Sequence, residues 1–228
     1  MGMVIDDPGL RDRRFVFADR RDAGKQLGRL IRTLPAIRDP VVLAIPAGGV
    51  PVGIEVARAL GAPLALAVVR KIQVPGNTEA GFGAVTWDGR VIINDLLRNA
   101  LGLTEEEVRD ATEKTRKNVD ERIATFTRGR PLPGLEKKTV IITDDGLASG
   151  FTMLAAIKSI REMHPGRIMV TVPTASATTA DTISRHADEL VCLNIRAGQR
   201  FAVAEAYTRW YDLSDDQVIA ELSTSGIK

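Results

Sequence analysis

Cysteine is nearly absent from this chain. Cys192 stands alone, which excludes an intramolecular disulfide framework and a cysteine-rich zinc site. Two histidines leave little room for a histidine-based metal centre. Aromatic residues make up only 4% while apolar residues reach 44%, so the core must be aliphatic, filled by Val, Ile, Leu and Ala. An excess of one charge is missing too: 31 Lys and Arg against 29 Asp and Glu leave +2, which gives no electrostatic footprint for nucleic acid. No apolar run approaches the roughly 18 residues that suggest a membrane helix. The first residues, Met1 to Asp7, lack the basic flank and hydrophobic region of a secretion signal. These absences predict a cytoplasmic protein with neither a membrane nor a nucleic-acid partner. No internal repeat or long linker divides the 228 residues, and one domain over 1–228 is expected.

What is present is an alternation of two hydrophobic periods. Asp19 opens a helical pattern with Ala23, Leu27, Leu30, Ile31 and Leu34 on one face, closed by Pro35 and Pro40. Val41 to Ile45 is a continuous apolar run, followed by a helical stretch from Val50 to Leu60 that stops at Gly61. Leu64 to Val69 is a second such run, and Thr139 to Thr143, Arg167 to Val172 and Leu190 to Ile195 are three more. Runs without polar alternation suit strands buried on both faces, as in parallel sheets. Helices are expected over about 152–163 and 178–187, and after the Ser214 cap. The pattern is that of an α/β fold: a Rossmann-like parallel sheet flanked by helices. Residues 72–134 interrupt it as an insertion, with a hairpin around Asp88-Gly89 and a charged helix opened by the capping box Thr104 to Glu107. The apolar stripe of that helix (Val108, Ala111, Thr115, Val119, Ile123, Phe126) is thin, which predicts a surface position or a partner.

In open parallel sheets ligands bind beyond the carboxyl ends of the strands. The loops expected there are Pro46 to Gly49, Arg70-Lys71, Asp144 to Thr152 and Pro173 to Ser176. The most informative runs from Val140 to Met153: a buried strand, Asp144-Asp145, Gly146, then Ala148-Ser149-Gly150-Phe151-Thr152. Two glycines permit a tight loop whose N–H groups converge, and a helix start with Ser149 and Thr152 hydroxyls completes an anion cradle. The carboxylates would repel that anion, so they suit sugar hydroxyls or a hydrated Mg²⁺. A ligand carrying a phosphate beside a diol fits both halves. The loop has no P-loop lysine, and no G-x-G-x-x-G follows the first strand. Adjacent acids alone are more often just solvated; the whole pattern after a buried strand is what points to a site.

Val140 to Met153 closely resembles the phosphoribosyl-diphosphate (PRPP) binding motif of the type I phosphoribosyltransferases. Weaker resemblance extends over Phe17 to Arg20, Pro46 to Gly53, Arg70-Lys71, Gly83 to Val85 and Arg209 to Asp212. The resemblance implies that fold and an Mg²⁺-dependent transfer of 5-phosphoribosyl from PRPP to a nitrogen nucleophile, a nucleobase above all, with release of diphosphate. It implies that Asp144 and Asp145 bind the ribose hydroxyls and the Mg²⁺ shell, and that Gly146 and Ala148 to Thr152 hold the 5-phosphate. Ala47, Gly48 and Gly49 would face the diphosphate, Arg70 and Lys71 would neutralise it, and Thr174 and Ser176 would contact the acceptor. Lys114, Arg116, Lys117, Arg122, Arg128 and Arg130 are the insertion's candidates to reach over the site, although a solvated helix face explains any one of them. A homodimer is expected from the resemblance alone. One departure stands out: family members usually carry Lys or Arg where this chain has Ala47. That motivates an alternative, a non-catalytic PRPP-binding sensor on the same fold. A phosphatase-like hydrolase ranks last, because its D-x-D spacing is missing.

Overall fold

The computed structural model describes residues 2–35, 37–127, 131–198 and 200–226, the side chains of Thr78 and Glu79 excepted. In chain order its first half comprises β1 (Met3–Asp6), α1 (Arg20–Ile31), β2 (Pro40–Ala44), α2 (Gly49–Leu60), β3 (Leu64–Leu66), β4 (Val69–Val74), β5 (Asn77–Thr86) and β6 (Val91–Ile93). There follow α3 (Asp95–Ala100), α4 (Glu105–Thr127), β7 (Thr139–Thr143), α5 (Phe151–Arg161), β8 (Arg167–Ser176), α6 (Ala177–Ser184), β9 (Glu189–Arg196) and α7 (Asp215–Thr224).

The buried apolar runs meet in one six-stranded sheet of order β1-β9-β8-β7-β2-β3, parallel at every pairing. The register sets Val42 beside Ile141 and Ile141 beside Met169, so side chains of one parity share a face. On one face Val42, Ile141, Met169 and Val191 pack under Leu27 and Ile31 of α1 and Val52 and Val56 of α2. On the other, Leu43, Val140, Ile142 and Val170 pack under Met153, Ile157 and Ile160 of α5. A second, antiparallel sheet β4-β5-β6 lies beside this body. Its residues Ile72, Phe82 and Val85 share a third cluster with Ile54 of α2 and Val119 and Phe126 of α4. The thin stripe of α4 therefore finds its partner within the chain, on the second sheet. Among the described residues no helix is long and apolar enough to cross a membrane.

The structure adds one strand and corrects two expectations. Met3–Asp6 forms an edge strand, β1, paired with β9. The run Leu64 to Val69 is two strands: β3 ends at Leu66, and the chain turns so that Val69 enters the α5-side cluster while Val68 and Ile72 enter the third. Arg70 and Lys71 thus lie inside β4 and not in a loop after a parallel strand. β8 continues to Ser176, so Thr174 belongs to a strand whose backbone pairs with Asn194.

Glycine decides how closely α1 and α2 approach. A Cβ on Gly24 would sit 2.9 Å from both the Glu55 Cβ and the Val52 carbonyl. The substitution Gly24→Leu must separate the two helices, and thermal denaturation should show a loss of roughly 1–3 kcal/mol, the usual cost of overpacking.

Candidate active site

The site forms where β7 ends. Thr143 closes the strand, and Asp144 and Asp145 follow at the carboxyl edge of the sheet, between β2 and β8. Asp144 Oδ1 accepts the Asp145 N–H at 2.8 Å, which fixes the turn. Asp145 is held from three sides. Arg20 Nε donates to its Oδ2 at 2.8 Å, and the Tyr207 hydroxyl donates to its backbone carbonyl at 2.5 Å. The turn Pro46 to Gly49 closes the third side: a Cβ on Gly48 would overlap the Asp145 carboxylate, and one on Gly49 would meet the Thr143 carbonyl at 2.8 Å. Gly48 and Gly49 are therefore required by contact with the acids. The Pro46–Ala47 peptide is cis.

Arg20 is 7% exposed and bound on every side. Besides Asp145 it donates from Nη1 to the Tyr211 carbonyl at 2.8 Å, and its guanidinium lies 3.8 Å from the Trp210 ring centre. Trp210 in turn packs on Tyr207, and Tyr207 on Phe17. Trp210 is engaged with Arg20 on one face and remains 36% exposed.

The loop after the acids is carried by β8 and α6. The Leu147 N–H donates to the Thr174 carbonyl at 2.9 Å, the Ser176 N–H donates to the Leu147 carbonyl at 3.3 Å, and the Thr179 hydroxyl donates to the Ala148 carbonyl at 2.5 Å. Gly150, with φ of 74°, caps α5 without a side-chain hydrogen bond. The first N–H groups of α5 are thereby left for water or an anion, at the positive end of the helix dipole. Ala148 and Ser149 are exposed, with Phe151 and Thr152 partly so.

The sequence-derived residues fall into two groups. The Pro46 to Gly49 turn meets Asp144 and Asp145 at the carboxyl ends of β2 and β7, and the Gly146 to Thr152 loop follows the acids directly. Thr174 and Ser176 lie beside it, but the Thr174 hydroxyl is buried and donates to Asn194 Oδ1 at 2.7 Å, while Ser176 caps α6 through the Thr179 N–H. Thr174 therefore has no hydroxyl to offer an acceptor. Arg70 and Lys71 line a different cavity of about 900 Å³ between β4, the turn at Pro75-Gly76 and α4, together with Lys114 and Lys117. Arg116 donates to the Gly89 carbonyl at 3.1 Å, and Arg122 to Asp215 at 2.7 Å. Arg128 and Arg130 lie outside the described residues. Arg20, Tyr207 and Thr179, which sequence reasoning did not place at the candidate site, hold it through contacts far along the chain.

Burial dominates the electrostatics. It pushes the Asp144 carboxyl well above its ordinary value of 3.8, reinforced by the neighbouring Asp145 charge and opposed by Arg20. Asp145 is raised by the same burial, with Arg20 pulling against it. Among the described residues no three or more His, Cys, Asp or Glu side chains gather into a metal cage. The acid pair fits Mg²⁺ only as an ion that keeps water and ligand oxygens, the usual habit of that ion.

The phosphoribosyl transferase domain family matches residues 21–206. This α/β chain is thus a member of that family, its acid pair and loop lying where the matched segment ends β7. The Mycobacterium tuberculosis (strain ATCC 25618 / H37Rv) protein called "Putative phosphoribosyl transferase Rv0571c" is 37% identical over 207 residues, covering 91% of this chain and 46% of its own. The chain accordingly spans about half the length of the curated relatives it matches. The crystal structure of TT1426 from Thermus thermophilus superposes with a TM-score of 0.73 at 33% identity, over 90% of this chain and 97% of that one. AQ2163 from Aquifex aeolicus, 13% identical over 82% of this chain and 78% of its own, shares the fold at a TM-score of 0.52.

A raised carboxyl pKa has a consequence for stability. Below the ordinary value both folded and unfolded chains hold the Asp144 proton, and burial carries no charge penalty. As pH rises above it, the unfolded chain ionises first and the folded state loses stability. Asp144→Asn should therefore raise the melting temperature at pH 7, with the gain vanishing toward pH 3; an equal gain at both pH values would contradict this origin.

Proposed function

We propose that this protein binds Mg²⁺ and PRPP and transfers the 5-phosphoribosyl group to a nitrogen nucleophile, a nucleobase above all, releasing diphosphate. One observation carries the reading: two adjacent, partly buried carboxylates stand immediately before a loop that ends in an uncapped helix start. That order suits a sugar diol followed by a phosphate. In this reading the first N–H groups of α5 and the Ser149 and Thr152 hydroxyls bind the 5-phosphate. Asp144 and Asp145 accept from the ribose hydroxyls and hold water on the metal, with Arg20 and Tyr207 keeping Asp145 in place. The metal, when bound, would absorb negative charge on the departing diphosphate. Gly48 and Gly49 let the backbone approach the diphosphate closely. Arg70 supplies positive charge from β4, one residue beyond Val69, which shares a cluster with Ile45 just before the turn. Lys71, its neighbour on that strand, adds to it. Stabilising the leaving group electrostatically is the largest part of what such a site offers.

Ala47 favours a second reading on the same site. Its methyl group packs against the third cluster and brings no cation to the turn. A protein that binds PRPP without turning it over would look the same.

Calorimetric titration with PRPP and Mg²⁺ tests the shared claim. Wild type should bind, and Asp144→Asn/Asp145→Asn, still folded, should lose at least tenfold in affinity. Absence of binding by the wild type sinks both readings. Binding followed by diphosphate release with one of a panel of nucleobases selects the transferase; binding without release for any of them selects the sensor.

A further inference from the structure

The acid pair already has a cation beside it. Arg20 Nε donates to Asp145 Oδ2 at 2.8 Å, and among the described residues no other cation is hydrogen-bonded or ion-paired to either acid. An arginine at the surface can swing aside when a second cation arrives. This one is buried and pinned. Its Nη1 donates to the Tyr211 carbonyl at 2.8 Å, and the ring centres of Trp210 and Tyr211 lie 3.8 and 5.9 Å from the guanidinium carbon. The segment that pins it is fixed in turn to the residues just before Arg20. The Thr208 N–H donates to the Phe17 carbonyl at 2.8 Å, and the Arg209 N–H to the Ala18 carbonyl at 3.0 Å.

The carboxylates are also partly committed. Asp145 Oδ2 is held by Arg20 and lies against Gly48, where a Cβ would overlap it. Asp144 Oδ1 accepts the Asp145 N–H at 2.8 Å. Among the described residues no third acid, histidine or cysteine joins the pair in a metal cage. A bare divalent cation would therefore meet few free oxygens and a positive charge that cannot move away. Repulsion between like charges so close, in a partly dry site, outweighs what two carboxylates return. A cation that arrives bound to a phosphorylated ligand differs, because it brings anionic oxygens of its own that offset the guanidinium.

We infer that Arg20 is the resident counter-ion of the acid pair: its fixed charge keeps a bare divalent cation off Asp144 and Asp145 and admits the metal only together with an anionic ligand. Arg20 acts through Asp145 and is in that sense a positioning residue that also selects. The inference rests on the Mg²⁺ and PRPP reading for its physiological cation and ligand, but its chemistry can be tested with a metal alone.

Mn²⁺ without any ligand is the probe, followed by the loss of its free electron paramagnetic resonance signal and by thermal denaturation. Arg20→Gln should bind Mn²⁺ at least tenfold more tightly than the wild type. Mn²⁺ should raise the melting temperature of that variant and leave the wild type's unchanged. A merely structural arginine would lose stability on substitution without creating a metal site. Arg20→Lys keeps the charge and should behave as the wild type does. Arg20→Gln/Asp144→Asn/Asp145→Asn should lose the gain, and a gain that survives there overturns the inference. Trp210→Ala frees one face of the guanidinium while leaving its charge, and should give a smaller gain in the same direction. That second variant keeps the test decisive if Arg20→Gln does not fold. Mn²⁺ affinity equal to the wild type's in the folded variants overturns the counter-ion. If the variants gain Mn²⁺ while the wild type fails to bind PRPP with Mg²⁺, the counter-ion stands and the PRPP reading falls. If the wild type binds PRPP with Mg²⁺ and no variant gains, the PRPP reading stands and the counter-ion falls.

Discussion

The ion pair between Arg20 and Asp145 is the contact on which the arrangement of the crevice depends. Two adjacent carboxylates at the end of a buried strand repel each other and are both penalised by burial. One guanidinium, itself 7% exposed, compensates them. Arg20 heads α1, Asp145 ends the β7 segment, and the Tyr211 carbonyl and Trp210 ring come from the chain before α7. A single side chain thereby ties three remote stretches to one point. Removing it would leave a partly buried carboxylate without its ion-pair partner, a larger loss than a fully exposed pair would represent.

That dependence explains what could and could not be read from the sequence. The sheet was legible because each of its central strands is an apolar run, and α1 because its buried positions follow the helical period. The phosphate loop was legible because it is local: the acids, both glycines and the helix start lie within one short stretch. β1 was not, since Met3 is 52% exposed and Val4 38%, so the edge strand carries no buried pattern. The second sheet was seen only as the Asp88-Gly89 hairpin, because Val69 to Val74 mixes Arg, Lys and Gln with the apolar residues that it buries. Arg20, Tyr207 and Thr179 were invisible as site residues for one reason. Their partners are Asp145 and Ala148, far away in the chain, and a single sequence holds no record of that pairing.

The acids stand in a rigid setting, fixed by Arg20, by Tyr207 and by two glycines that tolerate no side chain. A setting of that kind suits the part of a substrate that must be oriented.

The pairing of β1 with β9 sets the order in which the sheet can be completed. Met3 lies against Glu189, and Cys192 against Asp6. β1 is synthesised long before β9, its one strand neighbour among the described residues. It cannot pair until β9 is in place, a high-separation contact of the kind that slows folding. Until then the backbone groups of β1 stay open to pairing with other chains.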